Sequence, residues 1–325
     1  MAVLILVLLA TPVLAHVPSF PVDNTTPERA VAIPDGVKSW AFYDELGPGE
    51  ARYYRVALSV DERLQVGTFT PRTDGFTPSL VLMSPSLNGT DRVPPWVTVP
   101  KGMGAVAVEG ERPERATYEP FAPSATYQTA SITRAVETET TYLVAVYEPG
   151  NRSGPAGVAV GYAEEFSLAE YVTVPFDLVR TYLWAGQHPF VAIGPFLFTA
   201  LLGTGLVRKR HGGPGTRSLV QLTLLSAGFV ILGSGVNTLV QMGIALSRTG
   251  PTGAALVTAV FVVVPIICGG WVVRLSLREH FTLPVGTRIG LVAVGGMTLL
   301  TWAGFVVGPA LVLMVAITPK RFSKD

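Results

Sequence analysis

The chain has 325 residues, of which 49% are hydrophobic and only 14% are charged. Soluble domains usually carry about 25% charged residues, so this composition excludes an ordinary soluble protein and indicates a membrane protein. The net charge of +1 is the sum of an acidic part and a basic part. Residues 1–186 carry 13 Lys+Arg and 21 Asp+Glu, whereas residues 187–325 carry 11 Lys+Arg and 2 Asp+Glu. The basic residues stand in short clusters between apolar runs, a pattern that does not fit nucleic-acid binding.

The first 15 residues predict a signal peptide. An apolar run extends from Val3 to Leu9, and small residues precede a cleavage site after Ala15. A signal peptide usually has Lys or Arg before its apolar run, and none stands here. An uncleaved membrane anchor is therefore the alternative.

Cleavage after Ala15 makes His16 the first residue of the mature chain. Its α-amine and imidazole can then clasp Cu(II) in a nitrogen-rich site, provided that a third ligand joins them. His188 is the one other histidine expected on the extracellular side, since His211 and His280 fall on predicted cytoplasmic loops. His16 is therefore the candidate metal ligand and copper the candidate cofactor; the alternative is a surface histidine without a role.

Residues 16–163 predict an all-β antiparallel sandwich. The segment "ARYYRVALSVDERLQVGTFTP" (51–71) predicts two strands joined by a polar turn around Asp61, with Tyr54, Val56 and Leu58 on one face. Five further runs predict strands separated by Gly, Pro, Asn and Asp: "PSLVLMSP", "GAVAVEG", "ATYQTASI", "TTYLVAVYEP" and "AGVAVGY".

Three Asn-x-Ser/Thr sequons fall in this domain, at Asn24, Asn88 and Asn151. The chain has only one other asparagine, Asn237, so every asparagine before the apolar region belongs to a sequon. The pattern predicts a glycosylated, extracellular domain.

The strand pattern resembles a known domain family. "GEARYYRVALSVDERLQVGTFTP…FTPSLVLMSP", followed by "TETTYLVAVYEPGNRSGPAGVAVGY", is similar to bacterial pre-peptidase C-terminal domains, which are small β-sandwiches. This resemblance covers residues 49–162 and implies a non-catalytic adhesion or binding module. The whole chain also resembles a family of uncharacterised archaeal multi-pass membrane proteins, in which "AHVP", "KSWAFYDEL" and "YEPFAPS" occur in the same order. That second resemblance implies an architecture and no particular activity.

Residues 164–188 are dense in aromatic side chains and predict a juxtamembrane segment that lies on the outer leaflet. Residues 189–318 then predict an all-α transmembrane bundle, followed by a tail over 319–325. Four stretches lack Asp, Glu, Lys and Arg and reach the roughly 20 residues that a crossing needs: 190–207, 219–246, 254–273 and 289–317.

Positive residues predict the orientation of this bundle. The first connection, "RKRHGGPGTR" (208–217), and the third connection are basic, which places both in the cytoplasm and the β-domain outside the cell. Four crossings, the preferred arrangement, leave the basic tail outside. The alternative is a break at "GFVVGP" (304–309) that returns the chain to the cytoplasm.

Small and polar residues mark candidate contacts within the bundle. Ser234, Asn237 and Gln241 share one face of the second crossing, where they either bond neighbouring helices or bind a polar ligand. Gly304 and Gly308 form a GxxxG pair, which predicts close helix packing within the chain or with other membrane subunits.

The sequence shows no enzyme motif: a nucleophile elbow, a P-loop, a dinucleotide fingerprint and HExxH are all absent. The single cysteine, Cys268, allows no disulfide within the chain. We therefore expect a non-enzymatic, membrane-anchored extracellular binding or structural module. The alternatives are a copper-binding protein that uses His16 and a transporter or channel-like subunit with a polar site in the second crossing.

Overall fold

The computed structural model describes residues 16–90, 92–211, 218–279 and 281–319. The predicted signal peptide and most of the first basic connection lie outside these described residues. So does the basic tail from residue 320 onward.

The described part of the β-domain contains eleven strands arranged in two sheets. One sheet has the order β1-β3-β11-β5-β9-β8, and the other has the order β2-β4-β10-β6-β7. The strands are β1 (Val17–Ser19), β2 (Val31–Ile33), β3 (Trp40–Leu46), β4 (Ala51–Leu58), β5 (Arg63–Thr70), β6 (Ser79–Ser84), β7 (Gly104–Val108), β8 (Thr117–Glu119), β9 (Ser124–Ala135), β10 (Thr140–Tyr147) and β11 (Gly154–Val160).

The main hydrophobic core of this domain contains the faces that the alternation predicts. Tyr54, Val56 and Leu58 on β4 are buried together with Leu64 and Val66 on β5. Burial of each large apolar side chain contributes about 1.5–3 kcal/mol. Because β4 and β5 belong to different sheets, the turn at Asp61 carries the chain across the sandwich.

The prediction of an entirely antiparallel sandwich is wrong at two edges. β1 pairs in parallel with β3, and β2 pairs in parallel with β4. Both edge strands come from the first part of the domain, and neither is joined to its partner by a tight hairpin that would impose the opposite direction. Both are only three residues long, which is too short for alternation to show in the sequence.

Seven helices follow in the described chain. Two of them, α4 and α5, are long and apolar enough to cross a membrane. The helices are α1 (Leu168–Trp184), α2 (Pro189–Ala192), α3 (Gly194–His211), α4 (Leu219–Thr249), α5 (Ala255–Ser276), α6 (Val285–Leu300) and α7 (Val307–Ile317).

The fourth predicted crossing, 289–317, does not form a single helix: α6 and α7 are separated by a break at residues 301–306, which overlaps the alternative break at 304–309, and the return of the chain to the cytoplasm stays a prediction. Residues 301–306 leave the helical path, and Trp302, Phe305 and Val306 adopt left-handed φ angles of 51°, 54° and 63°. We call residues 301–306 the hairpin loop, because α6 and α7 run antiparallel on either side of it. At the far end of this hairpin, Arg288 Nη1 donates to the carbonyl oxygens of Ala316 at 2.7 Å and Thr318 at 2.6 Å. A cation at a helix C-terminus is stabilising.

The β-domain covers one end of the helical bundle. Arg248, near the end of α4, donates to the carbonyl oxygen of Pro71 at 2.5 Å, and Tyr118 donates to Thr258 Oγ1 at 2.7 Å. At the start of α4, Gln221 Nε2 donates to the carbonyl oxygen of Arg278, 3.1 Å away. Because α4 has 31 residues, these two ends lie about 45 Å apart. The starts of α4 and α6 and the ends of α5 and α7 therefore lie away from the β-domain.

Candidate functional site

Two of the cavities at the junction between the β-domain and the helices have the hairpin loop in their lining. The first has a volume of about 70 Å³ and lies between the outer face of the first sheet, α1 and the hairpin loop. The second has a volume of about 60 Å³ and lies among α1, α4, α5 and the hairpin loop. Phe121, Leu178 and Trp302 line both cavities, so these three side chains form the wall between them.

Strand alternation builds the first cavity. Phe42 on β3 faces the sandwich core, so its neighbour Tyr43 points to the opposite face of the sheet. There Tyr43 contacts Trp184 at the end of α1 edge-on, with ring centroids 4.9 Å apart, and contacts Phe69 at 5.7 Å. A Cβ on Gly157 of β11 would lie 2.2 Å from the Phe69 ring, so glycine is required there.

A carboxyl and an imidazole face this cavity, and both are neutral near pH 7. Burial raises the pKa of Glu119 to about 8, and the negative charge of Glu164 acts in the same direction. The Phe121 backbone N–H donates to Glu119 Oε1 at 3.3 Å, while no ion pair joins Glu119 to any described residue. Burial lowers the pKa of His16 to about 4.

His16 contacts Ser39 rather than a second histidine. Its Nδ1 lies 2.5 Å from Ser39 Oγ. His188 lies elsewhere, as the N-cap of α2, where its Nδ1 accepts from the Phe190 N–H. Among the described residues, no three His, Cys, Asp or Glu side chains form a group that could hold a metal. Copper binding by a mature N-terminal His16 stays a prediction.

The three polar residues of the second predicted crossing all bond other parts of the chain. Ser234 Oγ accepts from the Gly304 N–H at 2.8 Å, and Asn237 Nδ2 donates to the Ala192 carbonyl oxygen at 3.1 Å. Gln241 Nε2 donates to the carbonyl oxygen of Val191, and its Oε1 accepts from Gln187 Nε2. These bonds hold α2 and the hairpin loop against α4. Ser234 and Asn237 also line the second cavity, whereas Gln241 is fully buried and does not line it.

Two buried polar atoms of the second cavity's lining have no hydrogen-bond partner among the described residues. They are Asn237 Oδ1, an acceptor, and Trp302 Nε1, a donor. A buried polar group without a partner costs about 1–3 kcal/mol. Both cavities are large enough for water, which needs roughly 10–15 Å³, so the second cavity suits a polar occupant that both donates and accepts.

The structure separates the three predicted glycosylation sites. Asn88 and Asn151 are exposed. Asn24 is fully buried, and its Nδ2, the atom to which a glycan would be attached, donates to Asp44 Oδ2 at 3.0 Å. Asn88 and Asn151 are therefore accessible and Asn24 is not, and glycosylation at the two exposed positions stays a prediction.

The predicted GxxxG face is wrong as a helical feature. Gly304 lies in the hairpin loop with a φ of +70°, and Gly308 lies in α7, so the two do not share one helix. A Cβ on Gly308 would lie 2.7 Å from Ile231 of α4, and one on Gly304 would lie 3.2 Å from the same side chain. Both glycines therefore pack inside this chain, and contacts to other subunits through them stay a prediction.

Neither Glu119 nor Trp302 is among the site residues that the sequence predicts.

No protein-family model matches the chain, and no curated protein matches it. The fold and the junction define the class: a β-rich domain of two mixed sheets, docked on a helical domain that contains two apolar helices, with cavities between them.

Proposed function

We propose that the chain is a multi-pass membrane protein that holds its β-domain on the extracellular face of the bilayer, as a non-enzymatic binding or structural module. The apolar outer surface of the helices is the observation that carries this proposal. Large apolar side chains on four different helices are exposed to about two thirds of their area or more: Leu201 at 72%, Leu256 at 68%, Ile267 at 65%, Ile289 at 65% and Ile317 at 79%. Such a surface marks contact with lipid or protein.

The charges at the bundle ends support the extracellular placement of the β-domain. Lys209, Arg274, Arg278 and Arg288 lie toward the ends that are remote from the β-domain, while Arg248 lies beside that domain. Positive residues favour the cytoplasm. With α6 and α7 as separate antiparallel segments, α7 ends at Ile317 on the same side as these clusters.

The hairpin loop fits a position near the outer surface of the bilayer at which protein covers it. α6 and α7 are about 24 and 16 Å long, shorter than the hydrocarbon core of about 30 Å. Irregular backbone at that depth is tolerated where protein covers it. Here Phe121 of the β-domain and Tyr171 of α1 contact the Trp302 ring, with centroids 6.5 and 5.3 Å apart.

The β-domain is docked rather than tethered. Lys38 forms an ion pair with Glu170 at 2.6 Å between the domain and α1, and Trp184 Nε1 donates to the Asp44 carbonyl oxygen at 2.7 Å. We infer that a ligand bound at the junction contacts both parts at once. The module therefore acts together with the helices, and the bilayer is its first partner.

Alkaline extraction tests this proposal. Membranes from cells that express the full chain are washed with sodium carbonate at high pH, which removes peripheral proteins. We expect the chain to stay in the membrane pellet and to dissolve only in detergent, because lipid covers its apolar helix faces. Recovery in the alkaline supernatant would contradict the proposal.

A further inference from the structure

We propose that the first cavity binds a compact organic ammonium ion, with its positive charge beside Glu119 and its methyl groups against the aromatic lining. This inference deepens the proposed function by naming a ligand class for the junction. It rests on that function only for the statement that the ligand arrives from outside the cell.

The lining of the first cavity has the composition of a cation site. Aromatic side chains from the β-domain, from α1 and the segment just before it, and from the hairpin loop line it: Tyr43, Phe69, Phe121, Phe166, Trp184 and Trp302. Aromatic rings attract cations through the negative charge on their faces, and aromatic cages recognise quaternary ammonium groups in this way. A neutral apolar ligand would make no favourable electrostatic contact with the Glu119 carboxyl.

The charged groups around Glu119 leave it free to pair with a ligand. His16 and Tyr43, the other titratable groups that line the cavity, are neutral near pH 7, because burial lowers the pKa of the first and raises that of the second. Glu164 adds negative charge. Lys38 of the β-domain and Arg180 of α1 each already form an ion pair, with Glu170 and Asp177 respectively.

The cavity volume limits the ligand to a compact ion. A volume of about 70 Å³ corresponds to roughly five water-sized positions. Tetramethylammonium, which has five non-hydrogen atoms, has this size and carries the methyl groups that an aromatic lining favours. It is therefore the probe of choice.

Competition with a proton gives the site a distinctive pH dependence. With a pKa of about 8, the Glu119 carboxyl is mostly protonated at pH 6 and mostly ionised at pH 9. A cation that requires the carboxylate must displace this proton. Its affinity therefore rises about tenfold for each pH unit well below pH 8 and levels off above that pH. Below pH 8, binding also releases about one proton per ligand.

The test is a titration of the purified full chain in detergent with tetramethylammonium chloride, followed by tryptophan fluorescence, since two tryptophans line the cavity. We expect saturable binding that tightens about 50-fold from pH 6 to pH 8. Uncharged tert-butanol, which has a similar shape, is expected to bind at least tenfold more weakly. Absence of saturable binding, equal affinity at pH 6 and 8, or equal affinity for the alcohol would each overturn the proposal.

Two matched variants assign the effect to one carboxyl. Glu119→Gln is expected to weaken binding at least tenfold at pH 9 and to remove the pH dependence. Glu165→Gln, which changes an exposed carboxyl nearby, is expected to leave both unchanged. If Glu119→Gln fails to fold, the wild-type comparison with tert-butanol still decides. Because detergent-solubilised protein has no sidedness, a wrong membrane orientation would leave this result unaffected.

Discussion

Replacement of Asp44 by alanine is expected to destabilise the β-domain by about 3–5 kcal/mol, because it removes the centre of a buried polar cluster. Asp44 Oδ2 accepts hydrogen bonds from Tyr54 OH at 2.9 Å and Asn24 Nδ2 at 3.0 Å, and Oδ1 lies 3.1 Å from Arg52 Nε. Alanine leaves the Tyr54 hydroxyl and the Asn24 amide without this acceptor, and it takes from Arg52 one of its two carboxylate partners. The apparent Tm of the full chain, measured by near-UV circular dichroism, should fall by roughly 10 °C.

The neighbouring residue provides the control for this experiment. Glu45 is an exposed carboxylate on the same strand, and Glu45→Ala should change stability by no more than about 0.5 kcal/mol. Asp44→Asn, which keeps an acceptor for Tyr54 and loses the charge facing Arg52, should fall between the two. Equal stability of Asp44→Ala and Glu45→Ala would show that the cluster does not hold the domain together.

Gly269→Ala is expected to have the second large effect, on the packing of α4 against α5. An added Cβ would lie 2.7 Å from the Leu232 backbone nitrogen and 2.8 Å from the Gly228 carbonyl oxygen. Backbone atoms cannot move aside as side chains do, so the two helices must separate, at a cost of about 1–3 kcal/mol. An SDS titration of the detergent-solubilised chain, followed by circular dichroism, measures the loss of helix stability.

Gly270 is the matched control, since it is the next residue of the same helix and a Cβ there would meet no atom within 4 Å. Gly270→Ala should therefore be neutral or stabilising by up to about 1 kcal/mol, through the higher helix propensity of alanine. Similar destabilisation by both variants would mean that helix packing at Gly269 is looser than the structure indicates.

The long strands of the β-domain could be predicted from the sequence because each shows a local signal. β4, β5, β6, β10 and β11 all fall within runs rich in Val, Tyr, Phe and Thr that end at turn residues. β1, β2 and β8 have only three residues each, so no alternation can appear in them. Their pairing depends on where the rest of the chain lies, which explains why the parallel edges could not be foreseen.

The aromatic segment before the bundle shows how one pattern can serve two purposes. Its side chains predict an interfacial segment, and the structure shows a helix, α1, whose Tyr171 and Trp184 pack against the rest of the chain. A local signal for this helix is present: Ser167 and Glu170 form a capping box, in which each side chain bonds the backbone N–H of the other residue. An aromatic composition indicates that the segment is covered, but it does not indicate whether lipid or protein covers it.

The hairpin loop depends on tertiary contacts that no local pattern displays. Left-handed φ angles at non-glycine residues cost of order 1–3 kcal/mol each, and three such residues lie in this loop. Contacts of Trp302 with Phe261 and of Phe305 with Phe176 and Phe196 accompany the strained backbone. Because residues 289–317 are apolar throughout, composition predicts one helix as readily as two.

The candidate site was hidden for the same reason. Glu119 is a lone carboxyl at the end of a three-residue strand, and Trp302 is a lone tryptophan in an apolar run. Neither has the spacing that identifies a motif. The topology brings both to the first cavity, together with His16, which drew attention for a different reason.

Cysteine labelling on intact cells tests the central claim most directly, namely that the β-domain lies outside and that the chain after α7 returns to the cytoplasm. In a Cys268→Ser background, Glu114→Cys places a thiol on an exposed loop of the β-domain, and Thr318→Cys places one at the end of α7. A membrane-impermeant maleimide should label Glu114→Cys on intact cells and Thr318→Cys only after permeabilisation. Labelling of Thr318→Cys on intact cells, or protection of Glu114→Cys, would contradict the account.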